Sequence, residues 1–569
     1  MNDATTGTGA RGGAGKLPTR EWGAASWHRK AARPVTVWMM VFVLAGLTHV
    51  AIPEYRWVLI HIFTLGILTN SIVLWSQSLT EKFLQQKQPP ETRPAQLRRT
   101  RLLNAGVVVT IVGEILVRWW DRHWILTQVG AALVALALTW HGVVLARQWL
   151  RSDKGKRFRP AVLGYVGASF ALPLGAIFGG LLAMGLPGTW HNRVLMAHTI
   201  INLGGFLGLA AAASLTVLFP SIWRVNGLRD RSLPTLILLT VGLVAASAGA
   251  LLDSGWLTGV GLLTYAAGWV ISLQAWLGNV LSALRDPRDR LNYPSLSVLA
   301  AVLWLVGTVI HYAVQVMLAG EQIHLLRLPT MPLLLGFAAQ LLIGVMSHLL
   351  PTTMGGGPAA KRAGLRELKR GGIFRVVLYN LGFILWQTST HSWLKVLLSF
   401  LVFGVLVAFI PLMLRSVKAQ KAVLLGERDS PREDDPAPRW GQATAALAVL
   451  AFVVALFGGL QGPATGPDAA GPTSATGAEN VTVLELTSPG VFFEPDLIEV
   501  NSGDHVVLTY TNTDDMAHDL RFANGVDSGR LEPGQSAELD LGVLTADLEG
   551  WCTIAGHRVQ GMVLSVVVR

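Results

Sequence analysis

The sequence predicts a multi-span α-helical membrane bundle followed by an all-β sandwich. Two observations lead to this fold class. Over most of the 569 residues, long apolar runs recur with short polar breaks, and 51% of the chain is hydrophobic whereas 14% is charged. From about Val481 onward, short β-branched runs such as VTVLEL and HVVLTYTN are bounded by Gly, Pro, Asn and Asp. Such runs are typical of the strands of a sandwich.

The apolar runs are interpreted as membrane-spanning helices. A helix needs about 20 apolar residues to cross a bilayer, and only helices or closed barrels satisfy their backbone there. The runs predict about thirteen spans, about twelve in a bundle and one added anchor. The spans are expected to begin near Val35, Trp57, Leu102, Trp124, Ala161, Val194, Leu233, Trp256, Pro294, Thr330, Ile373, Trp393 and Ala443.

The charge of the connecting loops predicts the orientation. Lys and Arg precede the first span and recur in every second loop, while the intervening loops are poor in both. Because basic loops stay in the cytoplasm, the N-terminus is predicted to be cytoplasmic, and an odd number of spans places the C-terminal β domain outside. The net charge of +11 is therefore read as a topology signal and does not argue for nucleic-acid binding.

Six segments follow along the chain. We predict a disordered cytoplasmic tail (1–34), a polytopic membrane domain (35–415), a cytoplasmic connector (416–442), an anchor helix (443–461), a flexible linker (462–480) and the β domain (481–569). The first apolar run is too long and starts too late for a signal peptide. The Gly/Pro-rich linker would tether the β domain over the outer surface and keep its local concentration high.

The C-terminal segment contains a candidate copper site. Cys552 is the single cysteine, so it cannot form an intramolecular disulfide. It begins the pattern C-x4-H-x4-M with His557 and Met562, and His518 lies upstream in a loop after a strand. Two imidazoles, one thiolate and a distant thioether are the ligands of a type 1 blue copper site. His505 lies inside the run GDHVVLTY and is expected on the sheet surface.

This ligand pattern resembles the cupredoxin family. The C-x4-H-x4-M loop is similar to that of rusticyanin-type members, and Phe493-Glu494-Pro495 before the second strand is also cupredoxin-like. The resemblance covers roughly the last ninety residues and implies a β-sandwich that carries electrons through copper. Such a site has no open position for a substrate, so the domain by itself is expected to be a carrier and not an enzyme.

Three membrane histidines form a second candidate site. His61, His198 and His311 are expected at a similar depth, toward the side of the β domain. Imidazoles from facing helices can ligate haem iron or copper, although interhelical hydrogen bonding is the alternative. The helical region resembles the catalytic subunit of haem-copper oxidases and the NnrS family in span count and in His61 and His198. It lacks the His-His pair in span seven. We predict that the helical core holds haem b as a second redox centre, ligated by His61 with His198 or His311.

The whole chain also resembles bacterial membrane copper oxidases or nitrite-reductase-associated proteins. We therefore predict a membrane-integral electron-transfer protein of a respiratory or denitrification chain. Quinol is the expected electron source, and a copper nitrite reductase or an oxidase is the expected acceptor. One alternative is a copper-handling transporter or sensor, which the 12 methionines and the lack of cysteine in the membrane region disfavour. The other is an inert membrane anchor for a blue copper carrier.

Overall fold

The computed structural model describes residues 24–225, 230–288, 290–389, 391–429, 438–456, 481–554, 557–558 and 561–569. The helices in chain order are α1 (Ala24–Leu47), α2 (Tyr55–Phe83), α3 (Pro90–Arg118), α4 (Trp124–Arg151), α5 (Arg159–Ala183), α6 (Trp190–Trp223), α7 (Ser232–Leu251), α8 (Gly255–Arg285), α9 (Tyr293–Ala319), α10 (Pro332–Met354), α11 (Gly357–Leu368), α12 (Gly372–Thr388), α13 (Ser392–Leu424) and α14 (Gly441–Ala455). An α-helical bundle followed by a β domain is confirmed.

Eleven of these helices, α1 to α10 and α13, are long and apolar enough to cross a membrane. Nine of them begin within four residues of a predicted span start, whereas α1 and α3 begin 11 and 12 residues before the predicted starts at Val35 and Leu102. Helices α12 and α14 take the places of the two remaining predicted spans, but they contain 17 and 15 residues in the described part of the chain. Helix α11 was not predicted, and it lies in the basic connection after α10.

Two predicted boundaries differ from the structure, because α13 continues to Leu424, past the predicted start of the connector at 416, and the N-terminal tail is partly helical. Residues 24–34 are helical, because α1 begins at Ala24 and continues past the predicted start at Val35. Ala31 is buried and packs with Leu74 of α2, and this contact extends the helix beyond its apolar run. The first part of the predicted tail and the linker 462–480 lie outside the described residues.

The chain forms two compact units. The first comprises Met1–Val376 and Leu406–Gln442, and the second comprises Val377–Val405 and Ala443–Arg569. In the first unit, α6 and α10 are the most buried helices, with 61% of their apolar windows inside the protein, whereas α1 has 17% inside. Helices α6 and α10 therefore belong to the core of the bundle, and α1 lies at its surface.

A π-helical segment interrupts every fourth helix of this unit. The segments are Ile62–Thr69 in α2, Ile200–Gly208 in α6 and Pro332–Ala339 in α10. Each contains a Leu-Gly step at Gly66, Gly204 or Gly336. A Cβ on Gly66 would lie 2.7 Å from the ring of Trp38 in α1, and one on Gly336 would lie 2.7 Å from the ring of Trp304 in α9. The same close packing against a tryptophan ring thus recurs in α2 and α10, whereas a Cβ on Gly204 of α6 would lie 3.2 Å from Leu243.

The β domain contains two four-stranded sheets. Its strands are β1 (Val481–Gly490), β2 (Phe492–Glu494), β3 (Leu497–Val500), β4 (His505–Asn512), β5 (Arg521–Phe522), β6 (Ser536–Val543), β7 (Leu548–Trp551) and β8 (Val563–Val568). The sheet orders are β2-β1-β4-β6 and β3-β8-β7-β5, with β1 parallel to β4 and β3 parallel to β8. Alternate residues of β4 and β8 are buried and contribute to one apolar core.

Candidate metal centre

Three predicted ligands meet at one end of the β domain. His518 follows the loop after β4, Cys552 directly follows β7, and His557 lies five residues later. The two Nδ1 atoms of the histidines are 3.2 Å apart, and the sulfur of Cys552 is 3.5 Å from Nδ1 of His557. Metal–nitrogen and metal–sulfur bonds of about 2.0 and 2.3 Å allow one ion to reach all three atoms. In the described part of the chain, His518, Cys552 and His557 form the group of potential ligands that lie close enough together to hold one metal ion.

Met562 lies at the same end of the domain. It directly precedes β8, and its side chain is fully buried. The N–H of Cys552 donates to the carbonyl of Met562 at 3.2 Å, and the N–H of Met562 donates to the carbonyl of His557 at 3.1 Å. These bonds hold the ends of the ligand loop together without a metal. A rigid ligand set of this kind reorganises little when an ion changes its charge.

Burial favours the neutral forms of Cys552 and His557. Burial raises the pKa of the Cys552 thiol to about 12, and the carboxylate of Asp519 adds to this shift. Burial also lowers the pKa of the His557 imidazole to about 4, with a further contribution from His518. Near neutral pH, the imidazole of His557 is ready to bind a cation, whereas the thiol must release its proton to the solvent when a metal enters.

Two carboxylates position the ligands. Asp514 accepts a hydrogen bond from Nε2 of His518 at 2.7 Å, which leaves Nδ1 without a proton and free to bind an ion. The N–H of Thr553 donates to Asp519 at 2.5 Å, and its hydroxyl donates to the same carboxylate. Because Asp519 follows His518 and Thr553 follows Cys552, these bonds join the two ligand-bearing segments.

Asn512 fixes the loop that presents His518. It is fully buried, and its amide donates to the carbonyls of Met516 and Leu531 at 2.8 and 2.9 Å. Leu531 in turn exchanges two backbone hydrogen bonds with His518. The sequence reasoning assigned no role to Asn512, Asp514 or Asp519. The sequence does place Asp514 four residues before His518, but this spacing alone does not predict their hydrogen bond, which depends on the shape of the loop.

The structure separates His505 from this centre. His505 begins β4, and its Nε2 bonds to Asp540 of β6 at 2.6 Å. It is paired across the sheet with Val543. His505 therefore lies on the sheet, as expected, and belongs to a cross-strand contact with Asp540.

The membrane histidines are only partly brought together. Nδ1 of His61 bonds to the carbonyl of Trp57 at 2.8 Å, and Nδ1 of His198 bonds to the carbonyl of Gly175 at 2.9 Å. The two imidazoles are close enough to interact electrostatically. His311 instead lies on the exposed face of α9. The site of three histidines stays a prediction, and the exposed position of His311 on α9 does not favour its part in it.

Comparison with known proteins gives limited similarity. No family model matches the chain, and no curated protein matches it. Among solved structures, a dithionite-reduced auracyanin from the photosynthetic bacterium Roseiflexus castenholzii is 16% identical, with a TM-score of 0.15, and the alignment covers 16% of this chain and 98% of that one. An auracyanin B structure has the same identity and TM-score, with 16% and 96% covered. The resemblance of the helical region to oxidases and NnrS proteins gains no support from these comparisons.

Proposed function

We propose that this chain is a membrane-integral electron-transfer protein whose C-terminal β domain holds type 1 copper. His518, Cys552 and His557 would bind the ion in a plane, and Met562 would supply the axial thioether. The helices would anchor this domain on the outer face of a membrane. Quinol is the proposed source of electrons, and a copper nitrite reductase or an oxidase is the proposed acceptor.

The convergence of two imidazole nitrogens and one thiol carries this proposal. All three ligand atoms lie within 4.8 Å of one another, and the three side chains are buried. Bound copper would supply one-electron chemistry, while the protein keeps the ligands fixed and excludes water. Since protein side chains would take every ligand position, transfer to a partner is favoured over turnover of a bound substrate.

The purified full-length protein tests the copper site. We expect one equivalent of Cu(II) to produce the intense blue thiolate-to-copper absorption. Cys552→Ser should abolish the colour, because an alcohol oxygen is a poor donor for this transition, and His518→Ala should lose the bound copper. His505→Ala is the matched control and should keep both. A blue Cys552→Ser protein, or copper loss in His505→Ala but not in His518→Ala, would make the ligand assignment wrong.

A second redox centre at His61 and His198 is the finer part of the proposal. In both residues Nδ1 is engaged by a backbone carbonyl, so the neutral imidazole carries its proton there and Nε2 has a lone pair. Asn202 also approaches Nε2 of His198 at 3.3 Å. Two such nitrogens from facing helices suit haem b.

Haem content tests this second centre separately from copper. We expect the purified protein to give a pyridine haemochrome, and His61→Ala and His198→Ala to lower the haem content without preventing membrane insertion. His311→Ala is the control and should retain haem, because this residue faces outward. Wild-type protein without haem would remove the second centre and leave a copper carrier on an inert anchor.

A further inference from the structure

A polar cavity lies at one end of the helical unit. It has a volume of about 430 Å³, and the residues that line it come from the start of α5, the end of α6, the start of α7 and the second half of α8. Pockets that bind small molecules have volumes of about 300–1,000 Å³. The cavity therefore has room for a small ligand or for the polar part of a larger one.

Three arginines line this cavity. Arg157 precedes α5, Arg224 follows α6, and Arg231 precedes α7. The acidic residue among the described lining residues is Asp230, and its carboxylate accepts a hydrogen bond from the N–H of Ser232 at 2.9 Å. Three positive charges and one negative charge leave these residues with a net charge of +2. The cavity therefore favours an anion.

The starts of two helices add to the positive charge. Phe158 and Arg231 occupy the N-cap positions of α5 and α7, and neither side chain caps its helix by a hydrogen bond. The N-terminal end of an α-helix carries a partial positive charge and N–H groups without partners inside the helix. Such ends are common binding positions for phosphate groups. Both helices thus favour an anion at the same place as the arginines.

Ser232 supplies a buried hydroxyl inside the cavity. It is 5% exposed, and its hydroxyl has no hydrogen-bond partner within the described part of the chain. The nearby hydroxyl of Ser272 is instead satisfied by Thr235 at 2.9 Å. A buried hydroxyl without a partner costs free energy, so an oxygen atom from outside the protein is expected at Ser232. Because Ser232 is the first residue of α7, this hydroxyl and the helix end can bind the same group.

Arg224 adopts a backbone conformation that disfavours its side chain. Its φ and ψ angles are 53° and 46°, in the left-handed region. Glycine reaches this region without strain and is the common residue at such a helix end. Strained residues cluster at ligand sites, where the position of the side chain offsets the cost. A role for the Arg224 guanidinium at the cavity explains why an arginine ends α6.

Apolar side chains form another part of the lining. Trp276 is 5% exposed and stacks on Phe219 with ring centres 4.4 Å apart, and Val217 and Ala275 also line the cavity. A ligand with an anionic group and an apolar part would match this mixture. Two other cavities of the helical unit are lined mainly by aliphatic residues, and neither has an arginine among its described lining residues.

Membrane orientation alone explains other basic residues at this end of the unit. The side chain of Arg288, after α8, is 74% exposed and pairs with Asp286 at 3.0 Å. Such residues are expected in a cytoplasmic loop without any ligand. Orientation does not require that three arginines surround one cavity. Burial lowers the pKa of Lys361 in α11, and the charges of Arg224 and Lys82 lower it further, so a positive field extends around Arg224.

We propose that the cavity between α5, α6, α7 and α8 binds a phosphate-bearing ligand, with Arg157, Arg224, Arg231 and the hydroxyl of Ser232 as its donors. A phosphate group fits because it carries up to two negative charges and accepts hydrogen bonds from several guanidinium groups at once. A free phosphate compound and the headgroup of an anionic phospholipid share this chemistry. The site is independent of the copper and haem proposals.

Thermal unfolding of the full-length protein in a neutral detergent tests the site. Inorganic phosphate at constant ionic strength should raise the unfolding midpoint, because a ligand that binds the folded state stabilises it. Arg231→Gln should raise the half-saturating concentration roughly 10- to 100-fold, as expected for the loss of a charged hydrogen bond. Arg288→Gln is the matched control, since it removes the same charge from the same end of the unit, and it should respond like wild type.

A second arm distinguishes the source of the phosphate. Stabilisation by phosphatidylglycerol but not by inorganic phosphate, again weakened in Arg231→Gln, identifies a lipid headgroup. If Arg231→Gln fails to fold, Arg224→Gly replaces it, because glycine adopts the left-handed backbone without strain and should keep the fold while the response weakens. The proposal is overturned if neither ligand stabilises the wild-type protein, or if Arg231→Gln and Arg288→Gln respond alike.

Discussion

Asp514 acts on the metal centre through a single hydrogen bond. Its carboxylate accepts from Nε2 of His518 at 2.7 Å, on the ring edge opposite the ligand nitrogen. This negative charge stabilises Cu(II) more than Cu(I). Asp514→Asn should therefore raise the reduction potential by about 40 mV, which corresponds to about 1 kcal/mol for replacing a charged by a neutral hydrogen bond. Redox titration of the blue absorption measures this shift.

Asp540→Asn is the matched control for this prediction. Asp540 accepts from Nε2 of His505 at 2.6 Å, so it has the same chemistry at a histidine away from the ligands. Its replacement should leave the potential unchanged. An equal shift in both variants would show that domain charge, and not the contact with His518, sets the potential.

Met562 is expected to tune the potential without holding the ion. It is fully buried at the end of the ligand loop. Met562→Leu keeps the volume but removes the thioether that stabilises Cu(II), so the variant should bind copper, remain blue and have a higher potential. Met516→Leu, a half-buried loop position, is the control and should keep the wild-type value. Loss of copper in Met562→Leu would contradict a purely axial role.

At the scale of elements, the π-helical segments of α2 and α10 each contain a glycine that packs closely against a tryptophan ring of the preceding helix. Gly336→Ala would place a methyl group 2.7 Å from the ring of Trp304, so α9 and α10 would have to separate. Overpacking of this kind costs about 1–3 kcal/mol, and the unfolding midpoint in detergent should fall. Gly307→Ala in α9 meets no atom within 4 Å and should not lower it. Equal effects of the two substitutions would contradict the packing argument.

For the whole molecule, topology decides whether the copper domain can meet an outer partner. If the eleven long helices are the spans, the two termini lie on opposite sides of the membrane, and the same holds for thirteen spans if α12 and α14 both cross. Reporter fusions at residue 1 and after residue 569 should show a cytoplasmic N-terminus and an external C-terminus. A cytoplasmic C-terminal reporter would mean that only one of α12 and α14 spans, and it would exclude the proposed transfer to an outer partner.

Local patterns in the sequence were enough for the bundle, the β domain and the copper ligands. Apolar runs of sufficient length form helices in lipid whatever their neighbours, and C-x4-H-x4-M places three ligands on one short loop. The pattern did not indicate that Asp514 and Asp519 would hold the ligand segments, because their contacts are made by the folded loops. Nor did it indicate that α1 would start at Ala24, where a packing contact extends the helix.

Contacts between distant helices were decided only by tertiary structure. His61, His198 and His311 look equivalent along the chain, yet the rotation of α9 directs His311 outward. The Leu-Gly steps of α2, α6 and α10 are too short to reveal a repeat until their π-helical segments are seen. Arg99 lies in a basic stretch of the sequence that predicts a cytoplasmic loop, and its burial against the ring of Trp140 arises only when α3 and α4 pack together. The physical reason is the same in each case, since helix rotation and packing depend on the sum of many weak contacts with other segments.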